Sequence, residues 1–185
     1  MQIYILDSDK NKLRYAELYF SNEPDVVCVH SDFSDFVKST QVDCIVSPAN
    51  SFGLMDGGYD RAITEYFGDE LQKEVQRYIM NNYWGEQPIA SSFIIDIPNH
   101  DSKLIHTPTM RNPEQILDSK IIYHCTRSTL ICALQNRMNN LLVPMFGGGC
   151  GNIHPKRIAE MMWRAYRQIK THPSIKDWDN VEEIK

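Results

Sequence analysis

Glycine is concentrated in two short segments of this 185-residue chain. Six of its nine glycines lie there: Gly57 and Gly58 in the first segment, and four between Gly147 and Gly151 in the second. Because glycine has no side chain, its amide and those beside it can approach an anion closely. A structural turn needs one or two glycines, and each further one favours the unfolded chain by up to about 1 kcal/mol. The excess indicates a function, and binding of phosphate suits bare amides.

The two glycine segments share one pattern of local structure. The first segment follows the apolar run 42–46 and precedes a predicted helix over residues 61–67. The second follows the apolar run 141–146 and precedes a predicted helix that begins at Pro155. A helix N-terminus carries roughly half a positive charge, which favours phosphate. Neither segment has the spacing GxxxxGK[ST] or GxGxxG. Two separate loops therefore predict a clamp on a diphosphate, the alternative for Gly57-Gly58 being a tight turn alone.

Three polar side chains beside these glycines are candidates for chemistry. The amide of Asn50 and the carboxylate of Asp60 could hold sugar hydroxyls or orient a water. The alternative is structural: Asn50 would cap its turn, and Asp60 would complement the dipole of its helix. Cys150 precedes a predicted helix and is a weaker candidate nucleophile, since its one histidine neighbour in sequence is His154.

Hydrophobic patterns predict the elements that position these loops. Apolar residues recur with helical spacing over residues 70–83, whereas residues 26–29 and 42–46 are β-branched runs typical of interior strands of a parallel sheet. Two further apolar runs, 93–97 and 104–107, are split by a turn sequence, which predicts some antiparallel pairing.

Strands that alternate with helices predict a fold of the α/β class, a three-layer α/β/α sandwich with a mixed, mostly parallel central sheet. We expect residues 1–185 to form a single domain, with a core of about 25–170 and a C-terminal tail, 171–185, on its surface. In open α/β sheets the ligand lies beyond the carboxyl ends of the strands, where both glycine loops are expected.

Composition excludes several classes of protein. The chain is 42% hydrophobic and 23% charged, with 19 basic and 24 acidic side chains and a net charge of -5. Intrinsic disorder, membrane spanning and nucleic-acid binding by a basic surface are therefore not expected. The five cysteines form no CxxC pair and the six histidines no HExxH pattern, so neither metal nor cofactor is predicted. We expect a cytoplasmic location because no secretory h-region follows Met1.

Several segments together resemble the macrodomain family. They are residues 42–51 (VDCIVSPANS) followed by Gly57-Gly58-Tyr59-Asp60, residues 104–111 (LIHTPTMR) and residues 144–152 (PMFGGGCGN). The order of elements is similar to that of the family over about 25–170, and the first loop most resembles members from bacteria and tailed phages.

The resemblance implies a pocket for ADP-ribose. Asp32 would accept a hydrogen bond from the adenine amino group, the alternative being an N-cap for the helix that follows it. The glycine loops would bind the diphosphate through backbone N–H groups, and Asn50 and Asp60 would be the catalytic residues at the distal ribose. The residues implied to bind ligand are Asp32, Phe33, Ala49, Asn50, Gly57, Gly58, Tyr59, Gly147, Gly148, Gly149, Cys150, Gly151 and Asn152.

The activity implied by the resemblance is that of a hydrolase acting on ADP-ribose derivatives. It would cleave a bond at the distal ribose, either in an ADP-ribosylated protein or in ADP-ribose-1''-phosphate or an ester. Its partners would be ADP-ribose or a related nucleotide and an ADP-ribosylated protein, without nucleic acid or membrane. Ser47-Pro48, Met55-Asp56, Cys150 and Asn152 depart from the family pattern. These departures keep open a non-catalytic module that binds ADP-ribose or a nucleotide signal, and the resemblance of the first loop to tailed-phage members suggests a phage-related protein as one form of it.

Overall fold

Short aliphatic runs form the strands of one central sheet. The computed structural model describes residues 1–183, and β3 is buried along its whole length, as expected for a run without charged residues. The strands are β1 (Gln2–Asp7), β2 (Val26–His30), β3 (Cys44–Ser47), β4 (Phe93–Asp96), β5 (Lys103–His106) and β6 (Asn140–Pro144).

Two helices begin at local sequence signals, whereas the helix predicted over residues 61–67 begins earlier, at Gly58. Asp9 caps the first helix by accepting a hydrogen bond from the Asn11 amide at 2.8 Å, and Pro155 is the first residue of the sixth. The helices are α1 (Lys10–Tyr19), α2 (Phe33–Ser39), α3 (Gly58–Phe67), α4 (Glu70–Tyr83), α5 (Lys120–Gln135), α6 (Pro155–Thr171) and α7 (Trp178–Glu183).

The sheet order is β2-β1-β6-β3-β5-β4, and β4 alone runs antiparallel to its neighbour among these strands. The register places Ile3 opposite Leu141 in the β1–β6 pair and Ile45 opposite Leu142 in the β3–β6 pair. Because β3 and β6 are parallel neighbours, the two glycine loops that follow them leave the same edge of the sheet side by side.

Helices cover both faces of the sheet. On one face, Ile5 and Val46 pack with buried residues of α1, α5 and α6. On the other, Ile45 and Leu104 pack with buried residues of α2, α3 and α4, among them Val75. The predicted three-layer α/β/α sandwich with a mixed, mostly parallel sheet is confirmed.

The structure differs from the sequence-based expectation at the N-terminal strands. β2 is an edge strand paired with β1 alone, and Val27 is 43% exposed, so the predicted interior position of residues 26–29 is wrong. The β-branched pattern does not distinguish an edge from an interior strand, since both favour these residues. β1 lies inside the sheet with Ile3 and Leu6 buried, so the hydrophobic core begins before residue 25.

None of the helices within residues 1–183 combines the length and apolar character that crossing a lipid bilayer requires.

Candidate functional site

A cleft, called the glycine cleft below, opens between two loops at the carboxyl ends of β3 and β6. The first loop is residues 48–57, after β3, and the second loop is residues 145–154, after β6. The cleft encloses about 170 Å³, less than the roughly 300–1,000 Å³ of typical ligand pockets. The enclosed part can therefore hold a portion of a dinucleotide-sized ligand, with the rest along the open sheet edge. The predicted site residues that line it are Ala49, Asn50, Gly57, Gly58, Tyr59, Asp60, Gly147, Gly148, Gly149, Cys150 and Gly151.

The N-terminus of α3 points bare amides at this cleft. Gly57 is the N-cap, Gly58 follows with φ +53°, and a Cβ added to either would meet no atom within 4 Å. Within residues 1–183, neither N–H donates a hydrogen bond to the protein. The first amides of a helix lack intrahelical acceptors and carry its positive dipole end. This end of α3 therefore has the unpartnered donors and the partial positive charge that suit an anion.

The second loop contains glycines of two kinds. Gly147 has φ +75°, and a Cβ on Gly151 would lie 2.8 Å from the Gly147 carbonyl oxygen, so the fold itself requires glycine at both positions. A Cβ on Gly149 would meet nothing within 4 Å, and the N–H groups of Gly149, Cys150 and Gly151 find no acceptor in residues 1–183. Part of the glycine excess is therefore structural, and the remainder leaves amides open to a ligand.

Asp60 is held at the base of the cleft by one oxygen. Ser47 Oγ donates to Asp60 Oδ1 at 2.6 Å, and both residues are buried. Within residues 1–183 Oδ2 has no hydrogen-bond partner, and it is not among the buried unpartnered atoms, so it faces the cleft. Burial raises the pKa of Asp60 to about 7, the Ser47 hydrogen bond opposes that rise, and the charge of Asp56 adds to it. Such a carboxylate can exchange a proton near neutral pH.

Replacing Ser47 with alanine is expected to raise the pKa of Asp60 by about one pH unit, because a hydrogen bond to the ionised form is lost. Carbon-13 NMR titration of the carboxyl group measures this directly. Ser51→Ala is the matched control, since Ser51 is a buried serine of the loop that follows β3 and its hydroxyl does not hydrogen-bond to Asp60. An unchanged or lower pKa in Ser47→Ala would show that the hydroxyl does not stabilise the carboxylate.

Asn50 lines the cleft and also ties its own loop together. Its Oδ1 accepts hydrogen bonds from the amides of Phe52 at 3.1 Å and Leu54 at 3.3 Å, and its Nδ2 donates to the Leu54 carbonyl at 2.7 Å. An asparagine amide has two N–H groups, so one remains for a ligand. The structure thus places Asn50 in the structural role and at the cleft wall at once.

Three predicted site residues do not line the cleft. Asp32 is exposed at the start of α2, two strands away from β6, and its side chain makes no capping hydrogen bond. Phe33 is buried and packs edge-on against Tyr59 with ring centroids 5.3 Å apart, so it supports the cleft wall from behind. Asn152 has φ +51° and donates its amide to the Gly149 carbonyl at 3.0 Å, which shapes the second loop.

Sequence reasoning missed a third loop, which follows β5. Thr109, Met110 and Pro113 line the cleft, and Ser51 N donates to Met110 O at 3.1 Å, tying this loop to the first. The segment was recognisable by its resemblance to the family, but its place depends on β5 being the neighbour of β3 in the sheet. Asp56 also lines the cleft and is exposed.

A larger cavity of about 400 Å³ lies at the opposite edge of the sheet, beside the residues that precede β3 and β5. Some of its polar groups are bonded to one another: Ser102 Oγ donates to the Val42 carbonyl at 2.6 Å, and Ser102 N donates to His100 Nδ1 at 3.2 Å. The C-terminal ends of α2 and α3 border it, and their partial negative charge disfavours phosphate. Lys38 also lines it, but within residues 1–183 its lining contains no glycine, so it lacks the bare amides of the glycine cleft.

The second glycine loop contains one cysteine, Cys150, and a histidine follows it at position 154. In the part of the chain that the structure describes, no three His, Cys, Asp or Glu residues are grouped to hold a metal ion. Cys150 is an exposed free thiol that lines the cleft. The Nδ1 of His154, its neighbour in sequence, accepts the Lys156 amide at 3.2 Å and so caps α6.

Comparison with solved structures finds the same fold in bacterial macrodomains. The Oceanobacillus iheyensis macrodomain with MES bound superposes with a TM-score of 0.64 at 21% identity, over 83% of this chain and 86% of that one. The same macrodomain with ADP gives 0.63 at 23% identity, over 75% and 72%. The macrodomain of Mycobacterium tuberculosis DarG gives 0.60 at 17% identity, over 70% and 84%.

Sequence comparison agrees with the structural one. An uncharacterized protein of Aquifex aeolicus (strain VF5) is 29% identical over 124 residues, which is 66% of this chain and 71% of the relative. The family model for the Macro domain matches residues 46–162, well over half of the chain, and spans both glycine loops and Asp60. This chain therefore belongs to the Macro domain family.

Proposed function

We propose that this protein binds ADP-ribose or an ADP-ribose derivative in the glycine cleft. The observation that carries the proposal is the convergence of unpartnered amides from α3 and the second loop on one cleft. Amides preorganised in this way bind a diphosphate without a lysine. A macrodomain of the same fold has been solved with ADP, which supports a nucleotide ligand.

Asp32 is proposed as the contact for the adenine amino group. It stands at the same edge of the sheet as the cleft, because it lies two residues after the end of β2, a strand parallel to β1. Its carboxylate is exposed and does not cap α2, which favours a ligand contact over the capping role. ADP-ribose would then extend from β2, across β1, to the enclosed cleft at β6 and β3.

We further propose hydrolysis of a bond at the distal ribose, with Asp60 as the base. Its free Oδ2 faces the cleft, and its raised pKa suits acceptance of a proton from an attacking water. Asn50 would orient a ribose hydroxyl with its remaining N–H. Since a carboxylate is needed, turnover should rise as the pH increases through about 7.

The charge of the cleft favours one substrate class. Its lining contains Asp56 and Asp60 and, within residues 1–183, no lysine, arginine or histidine. A phosphomonoester at the distal ribose would add negative charge beside these carboxylates, whereas an ester to a protein side chain would not. De-ADP-ribosylation of a protein is therefore proposed in preference to processing of ADP-ribose-1''-phosphate.

Titration calorimetry with ADP-ribose, ADP and NAD tests the binding step. We expect ADP-ribose to bind more tightly than ADP, because ADP lacks the distal ribose. Incubation with an ADP-ribosylated protein and with ADP-ribose-1''-phosphate, followed by product analysis, tests the reaction. If ADP-ribose does not bind at millimolar concentration, its binding free energy is less favourable than about -4 kcal/mol, and the pocket assignment is refuted.

The second candidate is a module that binds ADP-ribose without turning it over. The engagement of the Asn50 amide within its own loop favours this candidate, since less of the side chain is left to position a ribose. The resemblance of residues 49–58 to tailed-phage members is compatible with a protein that sequesters a nucleotide signal. Tight binding of ADP-ribose without product formation would support this candidate.

A further inference from the structure

Lys12 contacts the second glycine loop from outside the cleft. It lies in the first turn of α1, and its Nζ donates to the Gly148 carbonyl at 3.2 Å, the one hydrogen bond it makes within residues 1–183. A cation in the first turn opposes the helix dipole, so stability of α1 does not account for a lysine here. α1 follows β1, the sheet neighbour of β6, which brings Lys12 to the loop that follows β6.

The contact determines the direction of the next amide. The Gly148–Gly149 peptide is trans, so the Gly148 carbonyl and the Gly149 N–H point in opposite directions. Both glycines line the cleft and Lys12 does not, so the carbonyl that Lys12 binds points away from the cleft. The Gly149 N–H, which has no partner within residues 1–183, consequently points into it.

Glycine on both sides gives the Gly148–Gly149 peptide more rotational freedom than a peptide between other residues has. A peptide between two glycines has no Cβ on either side to restrict its rotation. The flipped peptide would direct the Gly148 carbonyl oxygen at the ligand, where it would repel a phosphate instead of donating to it. We infer that Lys12 is a positioning residue, which binds the Gly148 carbonyl and thereby holds the Gly149 amide toward the diphosphate; this inference rests on the proposed function.

Calorimetry with ADP-ribose on two lysine variants tests the inference. Lys12→Met removes the contact, whereas Lys10→Met is the matched control: Lys10 is an exposed lysine of the same turn, and its side chain makes no hydrogen bond within residues 1–183. Both variants remove one positive charge. We expect Lys12→Met to weaken ADP-ribose binding about tenfold, and Lys10→Met to change it less than about twofold.

Amide NMR separates positioning from a general loss of structure. In the wild type, the Gly149 and Gly58 amide resonances should both shift when ADP-ribose is added. In Lys12→Met the Gly149 shift should be lost and the Gly58 shift kept, with an unchanged midpoint of thermal unfolding. Lys12→Arg, which keeps a donor, should restore most of the affinity.

The outcomes distinguish this inference from the proposed function. If the two methionine variants bind ADP-ribose with equal affinity, whether both reduced or both unchanged, the role of Lys12 is overturned and the proposed function is not. A wild-type protein that does not bind ADP-ribose would overturn the proposed function, and the inference with it.

Discussion

Replacing Asp60 with asparagine is expected to lower turnover of an ADP-ribosylated substrate by about 10²- to 10⁴-fold, the contribution of a positioned general base. Affinity for ADP-ribose should remain close to that of the wild type, since asparagine keeps the size of the side chain and can accept the Ser47 hydrogen bond. Steady-state kinetics and calorimetry measure the two quantities separately. Unchanged turnover in Asp60→Asn would exclude Asp60 as the base.

Asp56→Asn is the matched control for this variant. Asp56 also lines the cleft, but it is exposed, and its charge raises the pKa of Asp60. Its replacement should therefore leave turnover at high pH intact and move the acid limb of the pH profile to lower pH. Loss of turnover in Asp56→Asn equal to that in Asp60→Asn would indicate that the two carboxylates act alike.

The same Asp60 variant should be more stable than the wild type at alkaline pH. The pKa of Asp60 is about 7 in the folded protein, above its ordinary value of 3.8, so the folded state holds the proton more tightly than the unfolded state. Stability of the wild type therefore falls as the pH rises between these two values, and the loss persists above pH 7. Asparagine has no such loss. In thermal unfolding, Asp60→Asn should therefore have a higher midpoint than the wild type at pH 8, and this difference should be absent below pH 4.

Replacing Gly149 with valine is expected to reduce ADP-ribose affinity at least about 100-fold, or roughly 3 kcal/mol. The valine side chain would occupy space that the diphosphate needs, because the Cβ position on Gly149 is open and the residue lines the cleft. The fold should tolerate the change, since no atom lies within 4 Å of that Cβ. Calorimetry and thermal unfolding measure binding and stability on the same samples.

Gly151→Val provides the structural contrast. A Cβ there would lie 2.8 Å from the Gly147 carbonyl oxygen, a backbone atom that cannot move without displacing the loop. We expect this variant to lose about 1–3 kcal/mol of unfolding free energy in addition to affinity. If Gly149→Val instead bound ADP-ribose normally, the second loop would not contact the diphosphate.

Local sequence signals predicted a helix or its start well where the signal lies within a few residues. Residues 70–83 form α4 with the predicted bounds, and α6 begins at Pro155, because helical periodicity and a fixed proline φ act within a few residues. The antiparallel pairing of β4 and β5 also followed from the intervening turn. The interior assignment of residues 26–29 was wrong because strand position depends on partners that a local pattern does not contain.

The sequence by itself determined the family and the glycine loops, since both are properties of short contiguous segments. The tertiary structure alone decided which loops meet, because β6 pairs with both β1 and β3 across more than 90 residues of chain. It also decided that Ser47 binds Asp60, 13 positions away in the sequence, and that Lys12 binds the Gly148 carbonyl, 136 positions away. Hydrogen bonds depend on distance in space, and strand order sets that distance.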